Sequence, residues 1–480
     1  MADSQTNLAW ETLFDLSATR SGPLHQRLAE AIRTAVRGGR LPLGSALPPS
    51  RVLAADLRVS RWTVTQAYGQ LITEGFLAGR TGSATRVSWS PEPDERRPPR
   101  KAHSVVVHAQ THGPARYDLS QCTPDYRGFP RRKWVESIRV AAETAPYDLL
   151  GYPALGGERR LREALADQLD RRRGARVDPG LTTVFTGARQ SMLAICQALV
   201  GDGHRYLAVE DPGSPGLWES ALSAGLELVS LPVDERGLLV EALDGHPEVR
   251  AVCVGPAHHV MTGAILSPER RARLLDRANR VDGLVIEDDY DSEFSYDGPA
   301  LPAMQGADPQ RVALIGSMSR TMTPTVNVGW VVTPRRWIDA VHAALRSSVA
   351  APPALNQLAL AHFLESGAYD RHLRSSRLRF RARRDLLLAE LTRRLPEARV
   401  TGQQSGLHFL LELPDGHVAG RITAAAARRG MALCDVDGLY LYAAARENLI
   451  QVGYGNLSDP LAAEAADLLV ELILTSARLT

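Results

Sequence analysis

Leu24, Leu28, Ile32 and Val36 recur at a spacing that puts all four on one helical face, and the run stops at Gly38-Gly39. Pro48-Pro49-Ser50 then predicts a second helix, Arg51 to Leu57, with Ser50 in the capping position. Ser60 predicts the cap of a third helix that begins RWTVTQAYGQLITEG, after the short turn Arg58-Val59. Two helices so joined form a helix-turn-helix, and FLAGRTGSATRVS (76–88) predicts a two-stranded hairpin around Gly82-Ser83. After about Tyr117 the pattern changes. Helical stretches alternate with short β-branched runs at 181–185, 206–210, 251–255, 283–287 and 312–316, which predicts a mostly parallel α/β sheet with flanking helices. From about Arg335, long Arg- and Ala-rich helices precede apolar runs at 406–413 and 449–454, the pattern of a small C-terminal α+β subdomain.

The domains expected are therefore a DNA-reading head at 20–88, a linker at 89–115, a large domain at 116–334 and a small subdomain at 335–480. Five prolines and a charge run between 88 and 114 support the linker. The formal charge of +2 hides an uneven distribution. Residues 20–90 hold ten arginines against three acids, a surplus of +7, leaving −5 on the rest, and a basic head on a mildly acidic body points to nucleic acid. No apolar run reaches the roughly 18 residues of a membrane span and the N-terminus lacks a secretory pattern, so no membrane partner and a cytoplasmic location are expected. Cys122, Cys196, Cys253 and Cys434 form no C-x-x-C pair, which argues against a disulfide framework or a cysteine zinc site.

The stretch LPPSRVLAADLRVSRWTVTQAYGQLITEGFLAGRTGSATRV closely resembles the winged helix of GntR-type regulators. By that resemblance Ser50, Arg51, Ser60, Arg61, Thr63, Thr65 and Tyr68 belong to the DNA-facing helices, and Arg80 and Gly82 to the wing. Ala84 and Arg86 stand where the usual wing has glycine and an aromatic. The expected partner is double-stranded DNA carrying paired half-sites.

A GntR-type head on an α/β body resembles the MocR subfamily, whose body is similar to fold-type I aminotransferases. Six landmarks recur in order: GYPALGGERRLREALADQL, TGARQSMLAICQAL, VEDPGSPG, AHHVMTG, IEDDYDSEF and GSMSRTMTPTVNVGW. The resemblance implies a pyridoxal phosphate site. That cofactor needs an acid at its ring nitrogen, a lysine for the imine and donors for its phosphate. Asp288 matches the acid, Tyr290 the residue by the ring hydroxyl, Gly187 and Ala188 the phosphate cradle, and Tyr152 a tyrosine that reaches a phosphate across a dimer interface. Ser317, Ser319 and Arg320 fall on Ser-x-Ser-Lys, with arginine for the lysine, and Asn327 replaces a phosphate-binding arginine. Arg189, Ser214, His259 and Met261 depart from the pattern as well. An arginine stays protonated and makes no imine, and the chain's two lysines, Lys101 and Lys133, lie in the linker and an early body helix.

The sequence therefore predicts a homodimeric transcriptional regulator, with no catalytic residue and no metal, whose body serves dimerisation and the sensing of a small-molecule effector. Pyridoxal phosphate enters by resemblance only and not covalently. The alternatives are an active aminotransferase and a regulator that holds the cofactor without a covalent bond. The acids at 288, 289, 291 and 293 are assigned to ancestry, His258-His259 to pocket lining, and the arginines between 371 and 384 equally to a solvated face or a contact with DNA or an anion.

Overall fold

A computed structural model of the chain describes residues 23–79, 84–89, 115–151, 154–296, 301–348, 351–402, 404–442 and 446–476, together with Trp10 and Phe14. They belong to two compact units, Met1–Val107 and His108–Thr480. The linker expected at 89–115 lies outside the described residues except at its two ends.

In the first unit, α1 (Leu24–Arg37), α2 (Ser50–Asp56) and α3 (Arg61–Thr73) precede the antiparallel pair β1 (Leu77–Ala78) and β2 (Arg86–Val87). Leu28, Ile32 and Val36 point into a core with Leu53, Val64, Leu71 and Phe76. Leu24, expected on that face, is the first residue of α1 and is 38% exposed. The turn between α2 and α3 holds Arg58 at φ +52°, a left-handed residue that reverses the chain within two positions. A second correction concerns Ser50. Pro49 is the capping residue of α2 and Ser50 is its first helical residue, since the fixed proline φ already sets the helix entry.

The second unit opens with β3 (Tyr117–Asp118), α4 (Arg131–Thr144) and α5 (Arg159–Arg173). There follow β4 (Thr182–Phe185), α6 (Ala188–Gly201), β5 (Tyr206–Asp211), α7 (Pro215–Ala224), β6 (Glu227–Asp234), β7 (Gly237–Leu238) and β8 (Ala251–Val254). The large sheet is completed across α8 (Pro268–Arg280), β9 (Leu284–Asp289), α9 (Met304–Ala307), β10 (Val312–Ser317) and β11 (Gly329–Val332). Its eight strands run in the order β4-β11-β10-β9-β8-β5-β6-β7. The five strands from β10 to β6 are mutually parallel, β11 runs against both its neighbours, and β7 runs against β6. Full burial of β8 and β10 on both faces explains why those runs read as unbroken apolar stretches.

Beyond α10 (Ile338–Ser348), α11 (Ala354–Glu365) and α12 (Ala368–Arg394), a four-stranded antiparallel sheet forms. It takes β12 (Arg399–Thr401), β13 (His408–Glu412), β15 (Cys434–Asp435) and β16 (Leu449–Gly453), with α13 (Ala419–Arg428) and α14 (Ala462–Ser476) beside it in sequence. The short β14 (Met431–Ala432) pairs with β3, so the first strand of the unit belongs with its C-terminal part. One core joins Leu161, Val184 and Leu314 to Phe363, Leu407 and Ile473, on both sides of position 335. None of the helices among the described residues is long and apolar enough to cross a membrane.

Candidate DNA-reading helix and body cavity

Ser60 caps α3: its side chain accepts from the Thr63 amide at 3.1 Å and lies 2.8 Å from the Thr63 hydroxyl. Thr63 is therefore buried and occupied, and it does not face a groove as expected. Tyr68 needs the same correction. It is buried in the core and donates to the Pro48 carbonyl at 2.9 Å, and burial raises its phenol well above the ordinary tyrosine value. Both corrections follow from the 3.6-residue period, which turns positions 63, 64, 67, 68 and 71 inward together.

Arg61 and Thr65 do face outward, and Arg51 is exposed on α2. Thr65 donates to the Arg61 carbonyl at 2.9 Å. The outward row also contains Trp62, 62% exposed with its ring 5.6 Å edge-on from His25, and the exposed Gln66. Sequence reading passed over these two, although the same period that buries Tyr68 brings 62 and 66 to the surface. Arg80 and Gly82 lie outside the described residues. The wing's other arginine, Arg86, donates to the Gly44 carbonyl at 2.9 Å.

In the body, the C-terminal ends of parallel strands and the N-terminus of α6 converge. Strand alternation divides the acids of β9. Glu287 and Asp289 turn to one side, where the buried Arg173 donates from Nε to Asp289 at 3.0 Å and stands 3.9 Å from Glu287. Asp288 turns to the other side and lines a partly open cavity with Glu210, Tyr290, Ser214 and Trp218. Burial and the neighbouring charges of Asp289 and Asp291 push the Asp288 carboxyl up to about 7. Burial likewise pushes Glu210 up to about 8, against the Gly255 amide that donates to it at 3.0 Å.

Behind the cavity, His258 Nδ1 sits 3.0 Å from Asp291 Oδ2 and 2.8 Å from the Tyr290 hydroxyl. Burial opposes its charge, but the carboxylate prevails and the imidazole is raised above its ordinary value. His259 behaves oppositely. Burial lowers it to about 4, and its Nε2 donates to the Pro212 carbonyl at 2.8 Å while Nδ1 accepts from the Thr262 amide at 3.1 Å. The remaining acids are matched as well, Glu293 to Arg172 at 2.6 Å.

Ser317 is buried at the end of β10 and pairs with Gly329 in β11. Gly329 lies so close to Gly187 that an added Cβ would stand 2.6 Å from its backbone, so Ser317 and the start of α6 are brought together. Gly187 adopts φ +151° and ψ +171°, open only to glycine, and the space in front of it is clear: a Cβ there would meet no heavy atom within 4 Å. Ala188 begins α6 directly after it. Ser319 and Arg320 are half-buried, and the Arg320 guanidinium donates to the Cys122 carbonyl. Arg320 is near enough to pull on the charges of Asp288 and Tyr290. Asn327 is exposed in a left-handed turn. Tyr152 lies outside the described residues, and all four cysteines are buried and form no disulfide.

Two family descriptions match the chain: bacterial regulatory proteins of the gntR family over residues 24–87, and aminotransferase class I and II over residues 120–444. The probable rhizopine catabolism regulatory protein MocR of Rhizobium meliloti is 33% identical over 389 residues, 78% of each chain. The HTH-type pyridoxine biosynthesis transcriptional regulator PdxR of Corynebacterium glutamicum is 34% identical over 391 residues, 80% of this chain and 82% of that one. Among solved structures, the multiple substrate aminotransferase of Thermococcus profundus shares the fold with a TM-score of 0.69 at 22% identity, over 77% of this chain and 94% of that one.

Proposed function

The chain belongs to the GntR family of bacterial transcriptional regulators, in the MocR type that carries an aminotransferase-like body, and from that premise we propose that the body senses a ligand and dimerises without catalysing a reaction. One observation carries this reading. Arg320 occupies the position that resemblance gives to the imine-forming lysine, and its guanidinium is spent on the Cys122 carbonyl.

Pyridoxal phosphate fits the residues only in part. Asp288 suits a ring nitrogen, and the open Gly187 turn with the free amides of α6 suits an anion. Among the described residues no lysine stands by the cavity to form an imine: Lys133 is exposed on α4, ion-paired with Glu136 at 2.8 Å, and Lys101 lies outside them. The phosphate has the exposed Asn327 in place of a guanidinium. These residues do not support covalent cofactor chemistry. A regulator holding the cofactor without a covalent bond is the second reading, favoured by Asp288 and the Gly187 turn.

Homodimerisation is supported by large apolar side chains left exposed between positions 135 and 155. Val135 is 62% exposed, Tyr147 94% and Leu150 56%, more apolar surface on one stretch than a solitary subunit commonly shows. Arg51, Arg61 and Thr65 are proposed to contact DNA, with Arg80 and Gly82 in the wing, and the protein is proposed to act in the cytoplasm.

The deciding experiment titrates wild type and Arg320→Lys with pyridoxal phosphate, followed by visible absorbance and calorimetry. We expect no imine absorbance in wild type and its gain in the variant. Imine absorbance in wild type overturns the reading, while tight wild-type heat without absorbance selects the non-covalent alternative.

A further inference from the structure

We propose that Trp62, at the leading end of α3, reads the C5-methyl group of one thymine in the half-site, with His25 of α1 as the residue that positions its ring. The proposal rests on the reading of α3 as the helix that enters the groove and adds what the tip of that helix recognises.

Placement comes first. Ser60 caps α3 and Trp62 is the second helical residue, in the turn from which a recognition helix reaches base edges. Trp62 is 62% exposed. Of the chain's seven tryptophans, all of them among the described residues, Trp218, Trp330 and Trp337 are buried and Trp10, Trp89 and Trp134 are half-buried, so this indole alone is left in solvent. Its ring nevertheless has a fixed neighbour. The His25 imidazole, from the first turn of α1, meets it at 5.6 Å and 75°, an edge-to-face arrangement that is itself favourable. A ring already held in place has less freedom to lose on binding. Neither α1 nor α3 carries an acid in its first turn, and Arg61 is exposed beside Trp62, so the surroundings of the ring attract phosphate rather than repel it.

The chemistry of the ring then narrows its target. Indole has one donor, the Nε1 proton, and no acceptor, so it cannot make the paired contacts by which arginine recognises guanine and a side-chain amide recognises adenine. What it offers is a broad apolar face. In the major groove the apolar group is the thymine methyl, the one feature that separates thymine from uracil. The polar contacts fall to Arg61 before it and to Gln66 one turn on, both exposed on the same side of the helix.

The test uses full-length protein and a duplex selected by it from a random DNA pool, with each thymine of the half-site replaced in turn by deoxyuridine and affinity read by fluorescence anisotropy. In wild type, deoxyuridine at one position is expected to weaken binding about threefold to fivefold, the worth of one buried methyl. Trp62→Ala is expected to bind the thymine and deoxyuridine duplexes equally. His25→Ala is expected to bring the ratio below about twofold and His25→Phe, which keeps a ring against the indole, to restore it. Melting curves that match wild type show that the variants fold. Wild-type indifference to deoxyuridine at every thymine, or a ratio that survives Trp62→Ala, overturns the proposal. So does an equal loss on all sequences in Trp62→Ala, which would set the ring against the sugar-phosphate backbone or a second copy of the head. An unchanged ratio in His25→Ala overturns the positioning role. Unchanged binding in Arg61→Ala would instead fail the placement of α3 in the groove, so the two failures are separable.

Discussion

The Tyr68 hydroxyl donates to the Pro48 carbonyl at 2.9 Å, fastening the middle of the recognition helix to the segment that leads into α2. This bond ties α3 to the segment before α2 from inside the core. Tyr68→Phe removes the donor and leaves a part-buried carbonyl unsatisfied, which costs about 1–3 kcal/mol. The expected result is a lower melting temperature for the head with an unchanged order of preference among DNA sequences. A changed sequence preference would return Tyr68 to the groove.

On the opposite side of the same helix, Arg61, Trp62, Thr65 and Gln66 are exposed and make up the surface proposed to meet DNA. Arginine pairs best with guanine, glutamine with adenine, and an apolar ring suits a thymine methyl, each contact worth about 1–3 kcal/mol of discrimination. Arg61→Ala, Trp62→Ala and Gln66→Ala are each expected to relax preference at one position of the half-site, measured by selection from a random DNA pool. A uniform loss across all sequences would assign the residue to phosphate contact.

The helix-turn-helix was legible because its signals are local: the apolar face of α1, the cap at Ser60 and the glycines after Arg37. The strands of the large sheet were legible for the same reason. The run read at 181–185 is β4 at Thr182–Phe185, and the run read at 283–287 is β9 at Leu284–Asp289. Less legible was the direction of individual side chains. Thr63 and Tyr68 are polar residues on a helix already assigned to DNA, and although the helical period puts them with Val64, Ala67 and Leu71 on the inner face, their polarity masked it; their bonds to Ser60 and Pro48 hold them there. Glu210 lies in a motif that was recognised, yet its isolation from any cation depends on where Arg172, Arg173 and His258 reach, which no spacing reveals.

The arginines of α12 show the same limit and support a stability prediction. Arg383 is 3% exposed and donates to Asp125 at 2.9 Å, to the Gly455 carbonyl at 2.5 Å and to the Asp459 carboxylate. Arg384 stacks over Tyr296 at 4.6 Å, and Arg377 donates to the Glu293 carbonyl at 2.8 Å. These three of the seven arginines are therefore internal scaffolding. Asp125 is itself buried and keeps Arg379 at 3.3 Å and Arg127 at 3.8 Å, so Arg383→Ala removes a charged hydrogen bond without stranding the carboxylate and is expected to cost about 1.5–3 kcal/mol. Denaturant unfolding of the body measures it, and a loss within experimental error would place Arg383 on a solvated face after all.

His259 gives a pH dependence of definite sign. Burial lowers its folded value from 6.5 to about 4, so between those values the unfolded chain binds a proton that the folded chain refuses. The stability it contributes is complete above pH 6.5 and is lost as the pH falls toward 4. Its neighbour His258 has the opposite sign. Asp291 raises it despite burial, so its contribution is complete below about 6.5 and declines as the pH rises through the higher folded value. His259→Gln keeps an amide donor for the Pro212 carbonyl and removes the titration. The variant is expected to hold its melting temperature between pH 6.5 and 4 better than wild type, while the two converge above about pH 7. Parallel curves across that window would mean that His259 accepts its proton in the folded protein at the ordinary value.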